Sequence, residues 1–200
     1  MSDKFVMSVR QAAELDHAFE RNGWLPEEVK ELSKGTLLGE IRDIIRGYNR
    51  IVRVQHIIDC DAAPFVPDGW KVGPENQLSG AVRGQLVWDP AKVQLFLSDR
   101  QKSGTISGHD LCKELTDKPV LNANVLDYLL AHTELIPEEW KQDEQGRTRY
   151  IFFWGTIYRG PGGYLCVRCL DWCGGRWQWD WDWFENDWSV QYPSALLASF

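Results

Sequence analysis

No apolar run in this 200-residue chain approaches the ~20 residues that a membrane-spanning helix needs. The opening residues, MSDKFVMSVRQ, lack the apolar core of a secretory leader. There is no surplus of positive charge. The 22 Lys and Arg stand against 29 Asp and Glu, a net charge of −7, which argues against phosphate-led nucleic-acid binding. Catalytic signatures are missing too. No Walker loop, GxGxxG, GxSxG or HExxH spacing occurs, and His17, His56, His109 and His132 are scattered. Nothing in these patterns calls for a cofactor.

What is present fits a globular chain, with 44% hydrophobic and 26% charged residues and enough length to bury a real core in one or two domains. The five cysteines, Cys60, Cys112, Cys166, Cys169 and Cys173, are odd in number. Together with the missing leader, this predicts free thiols and a reducing, cytoplasmic setting. One count departs from the ordinary: 11 Trp, seven of them (Trp154, Trp172, Trp177, Trp179, Trp181, Trp183 and Trp188) in the last quarter.

The spacing predicts an α+β protein in three regions: a helical part over 1–50, a mixed part over 51–142 and a Trp-rich antiparallel sheet over 150–200. Ser8 and Gln11 form a capping-box pattern ahead of VRQAAELDHAFERNG. A second helix starts at Pro26, and a third, TLLGEIRDIIRG, lines up Leu37, Leu38, Ile41, Ile44 and Ile45. These three predict a small helical packing unit; a DNA reader is the alternative, with Arg42, Arg46 and Arg50 as its basic residues. Residues 51–60 read as a strand, followed by a long Pro- and Gly-rich segment. VQLFLS (93–98) is a second strand. Helices are expected over 107–117 and after Asn122 or Asn124, and a short helical turn at PEEWK. KQDEQGRTR (141–149) is the predicted boundary.

From Tyr150 the period changes to 2. YIFFWGTIYR, YLCVRCLDW and RWQWDWDWF are strands joined by turns at GPGG and Cys173-Gly174-Gly175. In the last strand Trp177, Trp179, Trp181 and Trp183 fall on one face, and Arg176, Gln178, Asp180, Asp182 and Phe184 on the other. Four same-face Trp left open would make a large apolar patch, which soluble monomers avoid. Most of them are therefore expected to be covered, which leaves the polar face on display.

Several constellations could carry chemistry. Cys166-x-x-Cys169-x-x-x-Cys173 invites a metal, with His132 or Cys112 as a fourth ligand; against it, Cys166 and Cys169 point to opposite faces of a strand. The acidic group Asp180, Asp182, Glu185, Asn186 and Asp187 has three readings: a solvated surface, a calcium site, or the paired carboxylates of a glycan-acting hydrolase or a nuclease-like metal site. His56 with Asp59, Cys60 and Asp61 could be drawn as a catalytic cluster, though satisfied structural roles account for it as well. The predicted ligand-binding residues are Gln178, Asp180, Asp182, Glu185, Asn186, Asp187, Ser189, Gln191 and Tyr192, with Val190 among them.

PVLNANVLDYLLAHTELIPEEWK, IFFWGTIYR, LCVRCLDW and GGRWQWDWDWFENDW, with the earlier IDCDAAPFVPDGWKV and ELDHAFERNGWLPEEVKELSKG, are similar to a protein family of small-genome candidate-phyla bacteria. That resemblance covers most of the chain and implies no particular activity. The C-terminal Trp-framed sheet, with its Asn/Asp/Ser/Tyr run, also resembles the variable proteins of diversity-generating retroelements. Their Gly-Ser-Trp and terminal Gly-Phe-Arg signatures are absent, and Trp154-Gly155-Thr156 is a partial echo. The resemblance implies a C-type-lectin-like fold in which Trp177, Trp179, Trp181, Trp183 and Trp188 are framework and the polar residues between them are displayed. The expected function is a non-enzymatic binding module for a protein or surface ligand. The alternatives are an acidic-patch hydrolase and a helical DNA-binding regulator.

Overall fold

The computed structural model describes residues 6–52, 54–73 and 77–198. It divides into two compact units, Met1–Val54 and Gln55–Phe200. The first holds helices α1 (Val9–Arg21), α2 (Pro26–Leu32) and α3 (Leu37–Ile45). The capping box at α1 is formed. Ser8 Oγ accepts from the Gln11 N–H, and Gln11 Oε1 accepts from the Ser8 N–H at 3.0 Å. At α2, Pro26 opens the helix and the Glu28 carboxylate accepts from the Leu25 N–H. None of the described residues 6–52 is buried. Leu37, Leu38 and Ile45 remain exposed, so the expected packing unit is three helices without a core of their own. Arg42 pairs with Asp43.

The second unit is built on a five-stranded sheet of order β3-β9-β5-β6-β7. Its strands are β3 (Val93–Phe96), β5 (Ile151–Arg159), β6 (Leu165–Cys173), β7 (Arg176–Trp183) and β9 (Ser194–Leu197). Gly174 and Gly175 both take positive φ, +59° and +79°, in the tight turn between β6 and β7. The sheet is mixed rather than purely antiparallel, because β9 runs antiparallel to β3 but parallel to β5. Residues 51–142 and 150–200 thus share one sheet, and 141–149 closes on itself through a Gln142–Thr148 bridge. Among the described residues of the stretch 51–60, Ile57–Asp59 (β1) is a strand. It pairs with β2 (Gln85–Val87) over three residues, and the Trp88 N–H bonded to the His56 carbonyl continues the contact by one residue.

Alternation along β5 and β6 sends side chains into two cores. On one face, Ile151, Phe153 and Leu170 meet Leu126 and Leu129 of α6 (Ala123–Ala131), Ile58 of β1 and Leu86 of β2. On the other, Phe152, Trp154, Val167 and Cys169 meet Leu111 and Leu115 of α5 (Gly108–Leu115). Ile106 of β4 (Ile106–Ser107) and Trp188 of β8 (Asp187–Trp188) complete that second core. The short α4 (Asp99–Ser103) contributes the buried Gln101.

Within the first core sits a buried cation. Arg168 is 1% exposed, and its Nη2 donates to Asp127 Oδ1 of α6 at 2.7 Å. The guanidinium lies 4.7 Å from the Trp179 ring, 5.1 Å from Phe65 and 5.9 Å from Tyr158. Tyr158 Oη donates to the Phe65 carbonyl, and the Phe65 N–H donates to Asp127 Oδ2. The irregular segment after β1 is thereby fastened over this face. Asp127→Ala leaves the guanidinium buried without its carboxylate. It should lower stability by about 3 kcal/mol, the low end for a buried pair because Asp127 is partly exposed. The combined change Asp127→Leu with Arg168→Met should cost clearly less. Urea unfolding midpoints read both; equal losses would contradict the account.

Candidate functional site

The β6–β7 register builds the candidate site. Trp183, Trp181, Trp179 and Trp177 lie opposite Cys166, Arg168, Leu170 and Trp172 on one face. Asp182, Asp180 and Gln178 lie opposite Val167, Cys169 and Asp171 on the other. Burial of the Trp face is graded. Trp177 is 9% exposed and packs edge-on to Trp172, while Trp179 and Trp181 are half-buried against Phe65 and Trp70. Trp183, 44% exposed, is the open end.

On the polar face, β7 is the edge of the sheet. Edge N–H groups invite pairing by another strand. Here Asp180 Oδ1 accepts from the Trp181 N–H and Asp182 Oδ1 from the Trp183 N–H, both at 2.8 Å. The W-D-W-D repeat thus has a local physical use: each carboxylate covers the next residue's N–H. Asp182 also accepts from the Asn186 side-chain amide. Gln178 Nε2 donates to Asp171 Oδ2 at 3.3 Å. Asp171 is 2% exposed, and its Oδ1 has no hydrogen-bond partner. Burial, then the Asp180 charge, push its carboxyl pKa up. The Tyr150 and Tyr192 rings pack at a tilt of 57°, centroids 5.5 Å apart, beside these carboxylates. Burial raises both phenols, with Asp171 the next cause at Tyr150 and Asp182 at Tyr192.

The structure therefore groups Gln178, Asp180, Asp182, Asn186 and Tyr192. Asp171 and Tyr150 join them although they were not among the residues singled out by sequence. Counting back from the Gly174-Gly175 turn places Asp171 opposite Gln178, so its signal was present in the hairpin. The remaining candidates serve elsewhere. Glu185 is exposed, 3.7 Å from His109 Nε2. Asp187 is exposed on β8, opposite Ser107. The Ser189 and Tyr192 carbonyls both accept from Gln101 Nε2, and Gln191 Nε2 donates to the Thr148 carbonyl. Val190 lines a separate groove of about 270 Å³ with Leu97 and Pro193. Phe184 keeps to the Asp side of the strand, as the alternation predicts, with its N–H bonded to the Leu165 carbonyl, but the second core covers that side there and Phe184 is buried against Trp154. Trp188 is buried as well.

The other constellations resolve into packing. Cys166 and Cys169 enter different cores, and Cys173 is exposed at the strand end. Burial pushes the thiol of Cys60 up to about 11 and that of Cys166 to about 12. Among the described residues, no three His, Cys, Asp or Glu side chains are placed to hold a metal ion. His56 Nδ1 meets the Tyr128 hydroxyl at 3.1 Å. Asp59 accepts from the Asp61 N–H and Asp61 from the Gly84 N–H, which makes both of them turn-formers. They lie on the Trp side of the sheet, away from the Asp face. A cavity of about 40 Å³ there, lined by Cys60, Asn122 and Thr156, suits a water rather than a substrate. No protein family, curated protein or solved structure matches the chain.

Asp171 carries a pH signature. A carboxyl whose folded pKa is raised contributes stability below its unfolded pKa, and that contribution is lost as pH rises through the folded value. Asp171→Asn removes the charge. The variant should match the wild type at low pH and become the more stable of the two as pH climbs past the ordinary carboxylate range. Thermal melts from acid to neutral pH read this, and a constant offset at every pH would contradict it.

Proposed function

We propose that the protein is a non-enzymatic binding module whose contact surface is the polar face of β7 and the segment that follows it. The observation that carries this reading is the division of labour along one strand. Trp177 and Trp179 are committed to packing, while the residues that alternate with them, Gln178 and Asp180, stand on the opposite face at a sheet edge. A backbone held by large packed rings tolerates changes in the groups it displays, which is what recognition surfaces require. On this reading Gln178, Asp180, Asp182, Asn186 and Tyr192, with Asp171 and Tyr150 behind them, form the centre. Glu185, Asp187, Ser189 and Gln191 form its margin. The partner is a protein or a surface ligand. A display face that varies while the Trp frame stays fixed, as in retroelement variable proteins, belongs to the same proposal.

The division predicts unequal mutational costs. Changing Asp180, Asp182 and Asp187 together to Ala should keep a cooperative fold and lower stability by only about 1–2 kcal/mol, since exposed hydrogen bonds are lost. Trp179→Ala removes a wall of the Arg168 cage and should cost about 3 kcal/mol. Chemical unfolding followed by circular dichroism compares the two. A triple variant that fails to fold, or a neutral Trp179→Ala, would contradict the proposal.

A further inference from the structure

The open end of the Trp row carries chemistry of its own, which does not depend on the polar-face reading. Trp183 and Tyr164 are the exposed members, at 44% and 57%. Their ring centroids lie 6.4 Å apart with the planes tilted by 47°. With Glu185 they line an open groove of about 260 Å³ whose walls are apolar apart from that carboxylate. Trp183 is backed by Trp181 at 5.0 Å, which in turn packs on Trp70 at 5.3 Å. Tyr164 follows a turn closed by Gly163 N–H to Gly160 carbonyl and Gly160 N–H to Tyr164 carbonyl bonds. The frame spends packing on holding two large rings at the surface, and hydrophobic burial alone does not account for their exposure.

We propose that this groove is a binding site for the head group of a small quaternary ammonium compound of the choline type. The rings supply electron-rich faces. A cation seated in the V between them lies within the ~6 Å of each centroid over which cation–π attraction acts. Glu185 supplies the counter-charge at the rim. The lining side chains offer two acceptors, the Glu185 carboxylate and the Tyr164 hydroxyl, so a primary ammonium with three N–H donors is the poorer match. A methylated cation has none to satisfy, and its apolar surface suits the aromatic walls. His109 Nε2 stands 3.7 Å from Glu185 Oε1, and its ring packs edge-on against Phe184.

The test is a titration of the full chain with choline chloride, followed by the indole N–H resonances in NMR spectra. The Trp183 signal is assigned by its loss in Trp183→Phe. Saturable movement of that signal is expected, with an affinity in the millimolar range suited to a shallow site. The neutral isostere 3,3-dimethylbutanol should bind at least several-fold more weakly. Glu185→Gln should weaken choline by about two- to fivefold, and Trp183→Leu by about fivefold, the latter read from the indole signal of the neighbouring Trp181. The other indole signals report whether each variant is folded. Choline that moves no Trp183 signal overturns the proposal. So does an isostere or a neutral sugar that binds as well as choline, or choline affinity unchanged in a folded Trp183→Leu.

Discussion

A guanidinium placed inside a protein is costly unless charge and hydrogen bonds are returned to it, and Arg168 is the point on which the second unit of this protein turns. Its returns come from four separate places: Asp127 on α6, Tyr158 on β5, Trp179 on β7 and Phe65 in the irregular segment. None of these is near another in sequence. Satisfying one cation therefore fixes the helix, three strands and the covering segment against one another. The same constraint explains why a Trp stands at 179. It forms one wall of the cage, so its ring is spoken for before any ligand arrives.

The two faces of β7 divide along this line. On the Trp side, burial weakens steadily from Trp177 toward Trp183, and the frame runs out at the open groove beside Tyr164. On the Asp side, the carboxylates of Asp180 and Asp182 close the strand's edge N–H groups and so turn away other strands. They do this while remaining at the surface, so edge protection and display reside in the same side chains. Asp171 differs from both. It is buried, half-satisfied by Gln178, and electrostatically opposed by Asp180. It is a place in the sheet where stability is given up.

Period and turn chemistry made much of this readable beforehand. The capping box at Ser8, the Gly174-Gly175 turn and the alternation of β7 are local patterns, and each forms as expected. What stayed hidden was long-range. The parallel contact of Phe152 with Ser194 joins a strand to one 42 residues on, and no local signal marks it. The strand-like run 51–60 had β-branched residues, but among the described ones the ladder with β2 takes in Ile57 and Ile58 with Asp59. Phe184 keeps the alternation, yet its end of that face is covered by the second core, which no local pattern announces. At the site, Gln178, Asp180 and Asp182 were legible because they share one strand. Tyr150 was not, because it comes to them from the start of β5.

The central claim is that the Trp row is scaffold over most of its length and open only at its end. The direct measurement is solvent accessibility at each indole N–H, by site-resolved hydrogen exchange. The account predicts strong protection at Trp177, intermediate protection at Trp179 and Trp181, and fast exchange at Trp183, with Trp154 and Trp188 protected as internal references. Uniformly fast exchange from Trp177 to Trp183 would mean an open aromatic platform, and would contradict it.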